Sequence, residues 1–469
     1  MFRALALLIF VTPAACVLGQ SGQQPVFKSK ADSVQLAKIR EMRATFDERY
    51  PDADIQTKSR VFDSLNKAEL PLLRKATWIY VYNPRKSFTP YADLKSGKVH
   101  PDSIKKLSIS DVRSAVVPAE VLRCKNLEEL ELVNTRINAL QDELNLLTNL
   151  SSIYVYNNIP DKRLILGKND HVNYLRIAGH HPDKLPKSYG NFKSLDSLNL
   201  NRSMAVRLPN VRHNPQLTIV NVVNNNITLK RYKGGKTVTH LDLRANKVTK
   251  VPNSISRKFP NLKALSFNSN PVKKVKPGLG KLNDLEFISF YGNMLSEIPA
   301  PVYKLTKLEV IDLFDNQIEA VSPEIKNLQQ LKILYLANNK LYRLPDEIGQ
   351  LKNLEEVYVY NNRMDTLPAS MDKLDKLRVL WVNDNFFHTI PATTWRAGKI
   401  DYLDASQNFI KRVPDEIAEA PLQTLILSSS LMNKEKENAA LFERLRKQGT
   451  RIIYYSAQSD QPADDDEGL

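Results

Sequence analysis

Residues 331–353 read LKILYLANNKLYRLPDEIGQLKN, with apolar side chains at Leu331, Leu334, Leu336, Leu341, Leu344, Ile348 and Leu351. Burying seven such side chains is worth roughly 10–20 kcal/mol. Fixing a backbone of this length costs at least about as much, at roughly 1–2 kcal/mol per residue. The unit therefore cannot fold alone and has to stack on copies of itself. The chain supplies them. The spacing L..L.L..N.L restarts at Ala76, Ile104, Leu127, Leu150, Val172, Leu195, Leu217, Val238, Leu262, Leu285, Leu308, Leu331, Leu354, Leu377, Ile400 and Leu422. From Ile104 onward the steps are 21–24 residues, mostly 23. Periodicity sustained at this length marks a solenoid.

Eight residues after the frame start, ten units carry asparagine: Asn158, Asn225, Asn246, Asn270, Asn293, Asn316, Asn339, Asn362, Asn385 and Asn408. This position follows a strand and points inward, where an amide satisfies backbone groups of its own and neighbouring coils that would otherwise be buried unpaired. Thr135, His180 and Ser203 stand there in less regular units.

The stretch LPDEIGQLKNLEEVYVYNNRMDTLP (344–368) resembles the 23-residue leucine-rich repeat, of the subtype found in Ras-group scaffolds, plant disease-resistance proteins and many bacterial surface proteins. The match is most specific from Val238 to Val413, extends with looser units over about 350 residues, and weakens between Asp161 and Gly235. The resemblance implies an α/β solenoid, a horseshoe with a parallel concave β-sheet and a helical or irregular convex side. About sixteen repeats would fill 76–430, between an N-terminal helical cap at 20–75 and a C-terminal helix–strand cap at 431–456. Residues 457–469 form an acidic, polar tail read as disordered.

Residues 1–19 have a charged start at Arg3, an apolar run from Ala4 to Val11 and small residues before Gln20, the layout of a secretory signal. The run is too short to span a bilayer, and no later stretch is long and apolar enough. The predicted location is therefore outside the cytoplasm: secreted, periplasmic or in the bacterial outer envelope. Cys16 after PAA is a distant match to a lipid-attachment motif, and a lipid anchor there is the one membrane link considered. Cleavage leaves Cys124 as the sole internal cysteine, so the body has no disulfide. Extracellular animal modules of this size usually carry them, which favours a bacterial source.

Strand alternation sends offsets two, four, six and seven of each unit to the concave surface. In the C-terminal units these positions are rich in rings and carboxylates: Phe287, Tyr291, Asp312, Phe314, Tyr335, Glu356, Tyr358, Tyr360, Trp381, Asp384, Tyr402 and Asp404. A second cluster, with Tyr154 and Tyr156 at its centre beside Trp78, Tyr80, Tyr82 and Tyr174, lies toward the other end. The hexapeptides IYVYNN (153–158) and VYVYNN (357–362) put paired tyrosines into both. Exposed Tyr and Trp supply much of the energy of recognition surfaces at small entropic cost. The alternative is that the rings pack on one another to stabilise the sheet.

The net charge of +16 suggests a polyanion partner, but its distribution argues against nucleic acid. The concave set is mildly acidic, and the surplus Lys and Arg lie in runs such as LKRYKGGK (229–236) and VKKVKPGLGK (272–281). No nucleophile elbow, phosphate loop, paired CxxC or zinc-protease motif occurs, so neither an enzyme nor a cofactor or metal is expected. The reading is a recognition protein that binds a protein or peptide on the aromatic, mildly acidic concave face. An envelope glycan-binding protein stays open, as does an intracellular scaffold if residues 1–19 are not a signal.

Overall fold

The computed structural model describes residues 23–26, 77–80, 85–156, 163–179, 185–187, 189–397, 400–431 and 438–455. The expected signal, the helical N-terminal segment, Asn158, His180 and the acidic tail lie outside them. Seventeen strands form one parallel sheet, starting at Thr89–Pro90 and ending at Arg451–Tyr455. Each of these two end strands pairs along one edge only, with Lys106–Ser110 and Thr424–Ser428 respectively. The sheet is thus an open ribbon and not a closed barrel.

Register follows the repeat without slippage. Leu334 pairs with Val357 and Val357 with Leu380, and all three are fully buried. The Leu, Ile and Val of every coil join one core running the length of the molecule. The strand Thr77–Tyr80 does not extend this sheet as the frame start at Ala76 predicts; it pairs antiparallel with Gln23–Val26. That unit carries Pro84 where ten others carry asparagine, and proline has no side-chain amide to bridge to a next coil. Beyond the last repeat, helix Ala439–Lys447 leads into Arg451–Tyr455.

All nine described ladder asparagines point inward. Asn362 shows the scheme: its Nδ2 donates to the carbonyls of Leu336 (3.0 Å), Val359 (2.9 Å) and Tyr360 (3.2 Å), and its Oδ1 accepts from the Leu341 N–H (2.9 Å). One side chain thus ties its own turn to the preceding coil at two points. The residue just before the ladder position adopts positive φ in coil after coil: Asn224, Ser269, Gly292, Asp315, Asn338, Asn361 and Asp384. Left-handed backbone favours Gly, Asn and Asp, whose short side chains tolerate it.

On the convex side most coils turn through a short 3-10 helix, often entered from proline: Pro277–Lys281, Pro323–Asn327, Asp346–Gln350 and Ala369–Lys373. These turns stack closely. A Cβ built on Gly349 would lie 2.2 Å from the Ser370 carbonyl oxygen, so the two backbones meet where no side chain fits.

Candidate binding face

The register places Asp312, Tyr335, Tyr358, Trp381 and Asp404 in one lateral row across adjacent strands. Strand spacing of about 4.8 Å brings their rings together: Tyr335 and Tyr358 stack at 4.7 Å between centroids, and Trp381 meets Tyr358 edge-on at 5.2 Å. Two residues further along each strand, Tyr291 stacks on Phe314 at 5.0 Å. Phe314 reaches Tyr360, two coils away, at 5.9 Å across the small, buried Ala337. Tyr360 contacts Trp381 at 5.9 Å and closes the two rows into a single six-ring surface. Trp381 is its most exposed member, at 36%, and Tyr402 on the next strand is 42% exposed.

Three of the expected surface residues are buried. Phe287 packs with its lateral neighbours Ala264 and Val310, and Ile333 and Tyr335 pack against the three. Asp404 is covered and accepts from both the backbone N–H (3.0 Å) and Oγ (2.7 Å) of Ser406. Tyr156 is covered from within the chain. Arg85 lies over the N-terminal cluster with its guanidinium carbon 4.0 Å from the Tyr154 ring centre, and donates Nη2 to Tyr156 Oη at 2.7 Å. Its Nε pairs with the buried Glu131 at 3.1 Å, and Ser108 Oγ donates to the same carboxylate. Tyr174 and Phe88 complete the nest around Tyr154. This cluster is an internally satisfied cation site, and the open aromatic surface is the C-terminal one.

The acidity of the face has partly structural causes. Asp315 and Asp384 occupy left-handed positions. Asp312 Oδ1 accepts the N–H of Phe314 two residues on, as Asp242 does for Arg244 and Ser289 for Tyr291. Glu131 and Asp242 are buried against Arg85 and Arg244. In three successive coils the acceptor at this offset gives way to Tyr335, Tyr358 and Trp381. There the facing N–H groups of Ala337, Tyr360 and Asn383 donate to no protein acceptor among the described residues. Rings have replaced a local hydrogen bond in the middle of the strip, where stacking by itself requires no such loss.

Along one margin Lys263–Glu286, Lys332–Glu309 and Arg378–Asp401 neutralise one another in pairs across coils. Lys273, Lys274 and Lys276 of the basic run lie away from the strip, lining an open groove of about 410 Å³ with Lys304. Sequence reasoning missed a lateral patch beside the strip: Phe386 meets Phe409 at 5.9 Å, His388 stacks on Phe409 at 5.7 Å, and both phenylalanines are exposed. The signal was available, since the preceding coils carry Gln317, Lys340 and Arg363 at the offset of Phe386.

Burial raises the Asp312 carboxyl from its ordinary 3.8 to about 6, against hydrogen bonds from Ser289 Oγ and the Phe314 N–H that lower it. Asp242 and Asp404 are raised by burial as well. The folded chain holds these protons more tightly than the unfolded one. For Asp312 the penalty is absent below about pH 4, grows as pH rises, and is complete above about pH 6. Asp312→Asn is therefore expected to stabilise the protein at pH 7 by on the order of 1–2 kcal/mol and to leave it unchanged at pH 3.5. Urea midpoints at the two pH values check this. Burial also pushes the Tyr335 phenol up to about 12, with Glu356 and Asp312 adding to the effect, so it remains a hydrogen-bond donor at neutral pH.

Comparison with known proteins agrees with this architecture. The family model described as leucine rich repeat matches residues 329–387. No curated protein sequence matches the chain significantly. A solved Leptospira interrogans LRR protein is similar with a TM-score of 0.59 at 23% identity, over 79% of this chain and 100% of that one. An internalin from Listeria monocytogenes is similar over 69% of this chain and 87% of its own, at 18% identity and a TM-score of 0.44.

Proposed function

This chain is a leucine-rich-repeat protein, and from that premise we propose that it is a non-catalytic recognition protein binding a protein or peptide partner on the C-terminal half of its concave face. The observation that carries the proposal is the contiguous surface of Tyr291, Phe314, Tyr335, Tyr358, Tyr360 and Trp381. Tyr402 is exposed on the strand beyond it, and Glu356 and Asp384 stand beside the rings. Aromatic residues at the centre of a rigid face, with polar groups around them, are the arrangement of binding hot spots. Residues 1–19 belong to the same proposal as an export signal, which places the partner outside the cytoplasm.

Replacing Tyr358, Trp381 and Tyr402 together by alanine is expected to abolish capture of the partner from cell-envelope extract, a loss of at least about 2 kcal/mol per hot-spot residue. The circular dichroism spectrum should be retained, because none of the three side chains belongs to the continuous core. Capture that survives the triple change would make the strip a packing device. A glycan array separates the remaining alternative: strong sugar binding lost in the same variant would replace a protein partner by a glycan.

A further inference from the structure

The repeated hexapeptide carries an inference about the partner's chemistry, one that rests on the binding face proposed above. In IYVYNN the paired Tyr154 and Tyr156 hold a guanidinium. Arg85 stacks over Tyr154, donates to Tyr156 Oη and pairs with Glu131, so that ring face, phenol oxygen and carboxylate each take one aspect of the ion. In VYVYNN the paired Tyr358 and Tyr360 occupy the same offsets of their coil.

The carboxylate here comes from Glu356 of the same strand, which accepts the Tyr358 hydroxyl at 2.8 Å, and not from the preceding coil. Trp381 adds a third wall, 5.2 Å from Tyr358 and 5.9 Å from Tyr360. Beside it the Asn383 Oδ1 is a covered acceptor with no donor. Across the coils starting at Leu285 to Ile400, no Lys or Arg occupies a concave offset. The later copy therefore has paired rings and a carboxylate, as the earlier arrangement does, with an unused acceptor besides, and lacks the cation.

We propose that Tyr358, Tyr360, Trp381 and Glu356 form a guanidinium cage that takes an arginine side chain of the partner. Arginine fits better than lysine. Its planar fork stacks on a ring face while donating in-plane to a carboxylate and an amide oxygen, and it is more weakly hydrated than an ammonium. The +16 charge of the chain opposes a basic partner at long range, so recognition depends on these short contacts and changes little with salt.

The test uses the full chain and blocked heptapeptides that differ only at a central arginine, citrulline, lysine or glutamine, with Trp381 fluorescence and calorimetry as readouts. Citrulline keeps the planar shape but has a carbonyl oxygen in place of one NH2, and so loses the charge and two donors. The arginine peptide is expected to bind at least tenfold more tightly than the citrulline and lysine peptides, and Glu356→Gln to reduce that preference several-fold. Equal binding of arginine and citrulline, tighter binding of lysine, or no binding of any peptide at millimolar concentration would overturn the cage. If the cage fails while partner capture still depends on Tyr358, Trp381 and Tyr402, the binding face stands and only its arginine chemistry falls. If capture is also insensitive to those residues, both fall.

Discussion

Asn362→Ala is expected to destabilise the protein by roughly 3–5 kcal/mol, since one buried N–H left unpaired costs about 1–3 kcal/mol and each of three further lost hydrogen bonds about 0.5–1.5 kcal/mol. The amide is buried and makes four bonds, three to carbonyls in two coils and one from the Leu341 N–H. Alanine removes all four bonds and leaves the Leu341 N–H unpaired, while the carbonyls of Leu336, Val359 and Tyr360 keep donors from Asn339, Asn385 and Asn338. Because each coil is supported only by its neighbours, the damage should be local at first, with the coils on either side of the change opening before the rest. Two measurements check this: a lowered denaturant midpoint, and hydrogen exchange at Leu341 accelerated well beyond that of a distant coil such as Leu241. Asn362→Asp keeps the acceptor and loses the donors, and should fall between wild type and alanine.

Gly349→Val is expected to cost about 3 kcal/mol, at the upper end for overpacking a filled site. Its Cβ would stand 2.2 Å from the Ser370 carbonyl oxygen and 2.6 Å from the carbonyl carbon. The obstacle is backbone, so no side-chain rotation relieves it. The convex turn Asp346–Gln350 would have to move away from Ala369–Lys373, loosening the floor beneath Val357 and Leu380. Thermal unfolding should register the loss. Gly97, which has nothing within 4 Å of a built Cβ, gives no such clash.

The solenoid was legible because stacking forces the same residue types into the same places: a Leu in each coil rests on a Leu in the next, and the ladder asparagine can be little else. The concave rows were legible for the same reason, since strand alternation fixes which side chains leave the core. Three features were not. The negative charge of Asp384 looked like a binding signal, yet its positive φ marks a left-handed position where Asp is favoured whatever the face does. Phe287 counts as outward by offset, but its lateral neighbours bury it, and a frame that treats each strand alone carries no information about them. Arg85 lies in the irregular first unit, ahead of the regular steps that begin at Ile104. It reaches its partners across 46 residues to Glu131 and 71 to Tyr156, so nothing in the hexapeptide announces that one copy is already filled.

The open ribbon also behaves as a ruler. From the coil of Tyr154 to that of Tyr358 the repeat takes nine steps, which at about 4.8 Å each sets the filled tyrosine pair and the open one about 43 Å apart along the sheet. Tyr154 touches the next coil through Tyr174, and the Tyr358–Tyr360 pair reaches back through Tyr335 and Phe314; the coils in between act as spacers. That distance can therefore change only in whole units of one repeat, by gaining or losing a coil, while the chemistry at both ends stays as it is.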